Sequence, residues 1–235
     1  MPKNPSLDQR IAWHLDHVQN CACRGVPPKL LEEMRKRNIS VPSHPVHGVK
    51  AEELDFSLLD AEDPKVKYAF VKELLDVAAR TPELLYPQYH RWRRLLLGEN
   101  EVLRWAAIDI MGRLAAVDQY NLLDSELPDL IGMLHQGHLI TTAHVVKTLE
   151  SIAHHRPHLR SLVLGELIHV ADDHFENAES REIAIGKVSE TLAQFVAYLS
   201  HTPEVFAFVQ RACSSTRAAT AKKGNRLRHQ LAAAM

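Results

Sequence analysis

Long apolar runs are missing from this 235-residue chain. None approaches the ~20 residues a helix needs to cross a bilayer, so no membrane partner is expected. The opening stretch, MPKNPSLDQR, lacks the apolar segment of a secretory signal. Cysteine is scarce: there are 3, and Cys21 and Cys23 are separated by a single residue. An odd number in that spacing speaks against a disulfide framework and for a reducing compartment. The expected location is the cytoplasm. Glycine numbers 9 and aromatics make up 6%, and alternating apolar–polar runs are few, so strands are not expected. A strong charge of one sign is absent too. The formal net charge of −1 argues against a protein whose whole surface grips nucleic acid.

Catalytic signatures are also lacking. The chain has no His-Glu-x-x-His, no phosphate-cradling glycine loop, no Gly-x-Ser-x-Gly and no Cys-x-x-Cys. No catalytic residue and no cofactor is assigned, and a non-enzymatic role is expected.

Helical periodicity is what the chain does have. In Glu101–Ala116, EVLRWAAIDIMGRLAA, residues Leu103, Ala107, Met111 and Leu114 recur at the spacing of one helix face, and Ala106, Ile110 and Ala115 widen it. Gly112 lowers helix propensity by roughly 1 kcal/mol against Ala, so close packing is its expected purpose. Thirty-seven residues earlier, Val66, Lys67, Ala69, Phe70 and Val71 keep the register of Leu103, Arg104, Ala106, Ala107 and Ile108. Thirty-seven residues later stand Ile140, Ala143, Val145, Leu149 and Ile152. A weaker copy follows with Ile183, Gly186, Val188, Leu192 and Phe195. A period in the high thirties to low forties indicates stacked helical pairs.

These segments resemble HEAT repeats of the armadillo-like class. Asp63-Pro64-Lys65-Val66-Lys67 is similar to the family's opening, and Leu103-Arg104-x-Ala106-Ala107-Ile108-x-x-Met111-Gly112-x-Leu114 to its first-helix core. The likeness spans about Asp63 to Cys213. It implies an all-α fold, a right-handed α–α superhelix of about four helix pairs whose second helices line a concave face. The third copy departs at Thr141, His144 and Thr148, and the fourth departs further.

The expected organisation has three parts. Residues 1–50 form an N-terminal helical hairpin and linker, 51–213 the repeats, and 214–235 a basic helix or tail. In the first part Ser6 or Asp8 caps a helix to about Asn20, and Pro27-Pro28 opens another through Lys36. Two prolines and a glycine make Ile39–Lys50 a loop. Ala178 to Ser200 is predicted as one long helix and Thr202-Pro203-Glu204 as the start of another. From Pro203 onward six bases, Arg211, Arg217, Lys222, Lys223, Arg226 and Arg228, face one acid, Glu204. Gly224-Asn225 is expected to interrupt the helix there.

The most binding-like stretch runs from Tyr86 to Arg94. Tyr86, Tyr89, Arg91, Trp92, Arg93 and Arg94 occur there without an acid. Aromatic and Arg residues are enriched at interface anchors, so these residues and Arg104 are the candidate contacts for a protein partner. The opposite reading packs Trp92 and Tyr89 into the core. Arg91, Arg93, Arg94, Arg104 and the basic C-terminal end supply the alternative, a nucleic-acid partner. HEAT-like alkylpurine DNA glycosylases place a Trp-rich, Asp-bearing helix at a basic surface. Trp92, Trp105 and Asp109 are faintly similar, but no base excision is assigned.

His14, His17, Cys21 and Cys23 are ligand types suited to zinc. Their Cys-x-Cys spacing is short for a structural site, and packing against the apolar stripe is the plainer account, so no metal is assigned. His44 and His47 could form a second metal site, and the cluster His154-His155-Arg156-Pro157-His158 a metal site or pH switch, but exposed polar residues in a loop and a turn are the plainer reading. His169 and His174 with Asp172 and Asp173 could form a carboxylate–imidazole set near a helix end, with no nucleophile placed against it.

Overall fold

A computed structural model describes residues 5–20, 27–37, 39, 54–199 and 202–234. The described residues are helical with no strand, as the sequence predicts. The chain divides into two compact units, the second beginning at Phe56.

In the first unit α1 (Leu7–Asn20) and α2 (Pro28–Lys36) match the predicted pair. Ser6 Oγ accepts from the Gln9 amide at 3.2 Å while Gln9 Oε1 accepts from the Ser6 amide at 2.9 Å. This reciprocal box satisfies two donors that a helix start leaves open. Ile11, Leu30 and Met34 form its small core. Arg37 of this unit pairs with Asp8 and Glu33. Cys21, Cys23, His44 and His47 lie outside the described residues, as does the side chain of His17.

The second unit starts with a 3-10 turn, Phe56–Asp60, seated on α3 (Pro64–Arg80). Then come α4 (Tyr89–Leu96), α5 (Glu101–Leu114), α6 (Leu122–Leu134), α7 (Leu139–His155), α8 (Arg160–His169), α9 (Ala178–Leu192), α10 (Pro203–Cys213) and α11 (Ala218–Ala233). Side chains at N-caps fix where the long helices begin. Asp63 accepts from the Lys65 amide with Pro64 at the first position, Asn100 from Leu103 and Asn177 from Ser180. Gly137 ends the α6 region at a φ of +77°, in the left-handed region that favours glycine. A Cβ there would also collide with the His174 carbonyl.

The long helices pack in chain order: α3 on α5, α5 on α7, α7 on α9, α9 on α11. The shorter ones pack beside them, α4 on α5, α6 and α8 on α7, α10 on α9 and α11. Ala106 is buried in this row, Ala143 half-buried and Ala69 exposed. Within the second unit α3 has a long neighbour on one side only, so its Ala69 face stays open.

Close approach is written into three glycines. A Cβ on Gly112 would lie 2.8 Å from Thr148 Oγ1, one on Gly186 would lie 2.7 Å from Thr220 Oγ1, and one on Gly224 would lie 2.6 Å from the Ala212 carbonyl carbon. Gly224 therefore does not break α11, contrary to the sequence expectation. It lets α11 run unbroken against α10, and residues 218–233 are a packed helix, not a tail.

One other boundary differs. The helix from Ala178 stops at Leu192 instead of reaching Ser200. Beyond it the amides shift to nearer acceptors, Gln194 to Thr191 at 2.9 Å and Phe195 to Leu192 at 3.0 Å, and Phe195 turns into the core at 1% exposure. Between Thr81 and Tyr89 the prolines divide the chain into two 3-10 turns, Pro82–Leu84 and Tyr86–Gln88. Proline has no amide hydrogen with which to extend a ladder.

Candidate functional site

The structure uses most of the Tyr86–Arg94 anchors internally. Tyr89, Trp92, Leu95 and Leu96 share the buried face of the eight-residue α4. Trp92 is 0% exposed and its indole N–H donates to the Leu85 carbonyl at 2.9 Å. Tyr86 donates to Asp118 Oδ1 at 2.7 Å and accepts from the Tyr120 amide at 3.2 Å. Burial pushes both the Tyr86 and Tyr89 phenols above their ordinary range, and the Asp118 bond adds to this for Tyr86. The core takes nearly all the surface of these three aromatics, where the sequence reading offered them to a partner.

The cations behave similarly. The Arg91 guanidinium lies 5.1 Å over the Phe56 ring while its Nε donates to Gln88 at 2.8 Å. Arg93 Nε stands 3.3 Å from Glu126, whose side chain is 1% exposed. Burial holds the Glu126 carboxyl above its ordinary range against the pull of Arg93. Arg104 donates to the Gly98 carbonyl at 2.5 Å. Arg93 and Arg94 remain exposed.

A buried knot that sequence reading missed joins three turns. Asp118, with a fully buried side chain, accepts from the Leu122 and Leu123 amides at 2.9 and 3.1 Å, capping α6. Arg156 donates to the Asp118 carbonyl at 2.7 Å, and also reaches Asn121 and Asp124. The signal was a charged pair 38 residues apart, both in turns, with nothing local along the chain to link them.

Among the described residues the histidines do not gather into one site. His158 bonds Asp124 at 2.8 Å, and His135 bonds Asp173 at 2.8 Å with Glu166 at 3.4 Å. His154 reaches Gln194 and leans on the Phe195 ring at 4.3 Å, and His155 turns back to the Ser151 carbonyl. Among the described residues no three His, Cys, Asp or Glu converge as metal ligands.

The long helices together present a laddered polar face. Each acid on it is tied to the next helix in the row. Asp109 of α5 bonds His144 of α7 at 2.9 Å, Glu150 of α7 accepts from Thr191 of α9 at 2.7 Å, and Glu190 of α9 pairs with Lys223 of α11 at 2.6 Å. The Lys223 bond holds the Glu190 carboxyl below its ordinary range. Trp105 stacks on His144 at 5.7 Å with ring planes 5° apart, and its N–H donates to Thr141 at 3.0 Å.

Two clefts follow the seams. One of about 180 Å³ includes Asp109, Arg113, Lys147, Ser151 and His154; one of about 300 Å³ includes Lys147, Glu150, Lys187 and Gln194. Arg113, Lys147 and Lys187, one per helix, form no ion pair among the described residues. This face can offer a chain of hydrogen-bonding and cationic groups to an extended ligand.

No protein-family model matches the chain, and no curated protein matches it. Among solved structures it is similar to an engineered protein, a Northeast Structural Genomics Consortium target, at 11% identity and a TM-score of 0.52. The match covers 99% of this chain and 94% of that one. At that identity the likeness concerns the helical fold alone. No helix among the described residues is long and apolar enough to cross a membrane.

Proposed function

We propose that the chain is a HEAT-like α-solenoid, a right-handed row of helix pairs with α11 closing it, acting as a non-enzymatic scaffold for a protein partner. The partner's docking surface is the laddered face of the long helices, in place of the Tyr86–Arg94 stretch. The observation that carries this reading is the repetition of one bond pattern across α5, α7, α9 and α11, acid on one helix to polar group on the next. Each repeat shelters its core against its neighbour, which is the physical logic of solenoids. The ladder gives each of these acids a hydrogen-bond partner and leaves Arg113, Lys147 and Lys187 on the seams with Ser151, His154 and Gln194. Such a mixed row suits the backbone and side chains of an extended peptide segment.

A photo-crosslinking residue placed at Lys147, at Lys187 and, as control, at Arg94 tests this in cells. Crosslinks to one and the same protein from the first two positions, and none from Arg94, are the expected result. No protein crosslink at either seam position overturns it. The three unpaired cations favour one competing reading, a nucleic-acid partner. Gel shifts at low salt separate the two, since neutralising phosphates makes affinity fall steeply as salt rises.

A further inference from the structure

Charges of both signs face one cleft near the C-terminal end of the second unit without pairing across it. The cavity, of about 450 Å³, opens between the end of α8, the 3-10 turn Val170–Asp172, α9 and α10. Phe208, buried, and Ile168, half-buried, give it an apolar wall. Arg181, Arg211, Asp172 and Glu204 line it, with His169 beside them.

Arg211 is held by Glu182 at 3.1 Å. Arg181, Asp172 and Glu204 form no ion pair among the described residues. The Nε of Arg181 is buried without an acceptor, which is uncommon, because buried polar groups nearly always find a partner. A smaller cavity of about 110 Å³, bounded by His174, Phe175, Asn177 and Ala178, also touches Arg181. The Thr202 hydroxyl and the backbone N–H of Glu204 itself hold the Glu204 carboxyl below its ordinary range, so it stays an anion at neutral pH.

A simple anion entering this cleft meets two carboxylates, and a simple cation meets two guanidinium groups. A molecule carrying both charges satisfies both sets. The volume falls within the range of small-molecule sites, roughly 300–1,000 Å³. We infer that the cleft binds a small zwitterion of the apolar α-amino acid class, with its carboxylate on Arg181 and Arg211, its ammonium toward Asp172 and Glu204, and its side chain on Phe208 and Ile168. This site is separate from the laddered face and does not depend on what docks there.

Calorimetric titration of the full chain tests it with four probes: L-leucine, 4-methylpentanoate (leucine without its ammonium), 3-methylbutylamine (leucine without its carboxylate) and inorganic phosphate. Leucine is expected to saturate a single site, each other probe binding at least about tenfold more weakly, a factor equivalent to about 1.4 kcal/mol. Arg181→Met should weaken leucine by tenfold or more without lowering the Tm. Glu204→Gln should weaken leucine but not 4-methylpentanoate, and it decides the matter if the Arg181 variant fails to fold. Absence of saturation by leucine overturns the inference. So does 4-methylpentanoate or phosphate binding as tightly as leucine, or leucine binding unchanged in the folded variants.

Discussion

Thr148 stands directly on Gly112. Its hydroxyl donates to the Ile108 carbonyl, four residues before the glycine, at 2.7 Å. Thr220 repeats the arrangement on Gly186, donating at 2.7 Å to the Glu182 carbonyl, again four residues before. The two devices join α5 to α7 and α9 to α11. In each, a missing Cβ lets the next helix approach until a threonine can reach a backbone oxygen.

Gly112→Ala and Gly186→Ala are therefore expected to destabilise the protein, each by about 2 kcal/mol, within the range seen for overpacking. Gly132→Ala and Gly165→Ala are the controls. Nothing lies within 4 Å of a Cβ at either position, and both are helical, so a gain of up to about 1 kcal/mol is expected from helix propensity. Urea unfolding of the four variants checks both signs.

Trp92→Ala should cost about 3–5 kcal/mol, as truncation of a large buried aromatic does. It also leaves the Leu85 carbonyl without its indole donor. Arg94→Ala, on the exposed side of the same helix, should stay within about 0.5 kcal/mol of wild type. Equal effects in chemical denaturation would contradict the buried placement of the indole.

Asp118→Ala removes the cap of α6 and one partner of Arg156, which is itself 9% exposed. A loss of about 3 kcal/mol is expected, since the Tyr86 hydroxyl and the Leu122 and Leu123 amides lose their buried acceptor, while Arg156 keeps Asp124 and the backbone carbonyl of residue 118. Tyr86→Phe, which deletes one hydroxyl from the same knot, should cost about 1 kcal/mol. The double variant should lose less than the sum, because both act through one network.

Glu126 supplies a pH signature. Its carboxyl is raised above the ordinary 4.5 in the folded chain, chiefly by burial. The folded state therefore holds this proton more firmly than the unfolded one. The resulting stability is fully present below the unfolded value and is lost as pH rises through the raised folded value. Glu126→Gln removes the titration. The Tm of wild type minus that of the variant should be more favourable near about pH 4 than near about pH 7; a difference that stays flat or runs the other way contradicts the shift.

Much of the local structure was legible in the chain itself. Asp63-Pro64, Asn100 and Asn177 mark helix starts by chemistry that acts within three residues, and the helical spacing of apolar residues in 66–71, 103–114 and 140–152 falls on the first three long helices. The need for a small residue at 112 could also be read, because glycine in mid-helix has to be compensated by packing. The faces to which side chains turn were a different matter. The stretch from Tyr86 to Arg94 has the composition of an interface, and composition alone cannot say whether an indole meets a partner or the chain's own core. Contacts with Phe56 and Leu85 decided that. The unbroken course of α11 through Gly224 depended on how near α10 comes. The Asp118–Arg156 knot and the cleft around Arg181 join residues tens of positions apart, and their distances exist only once the helices have packed. Sequence determined that the chain is helical and where several helices begin, because capping and helical periodicity are short-range. Tertiary structure alone decided which polar groups meet and which surface stays open, because burial is settled by neighbours that are distant along the chain.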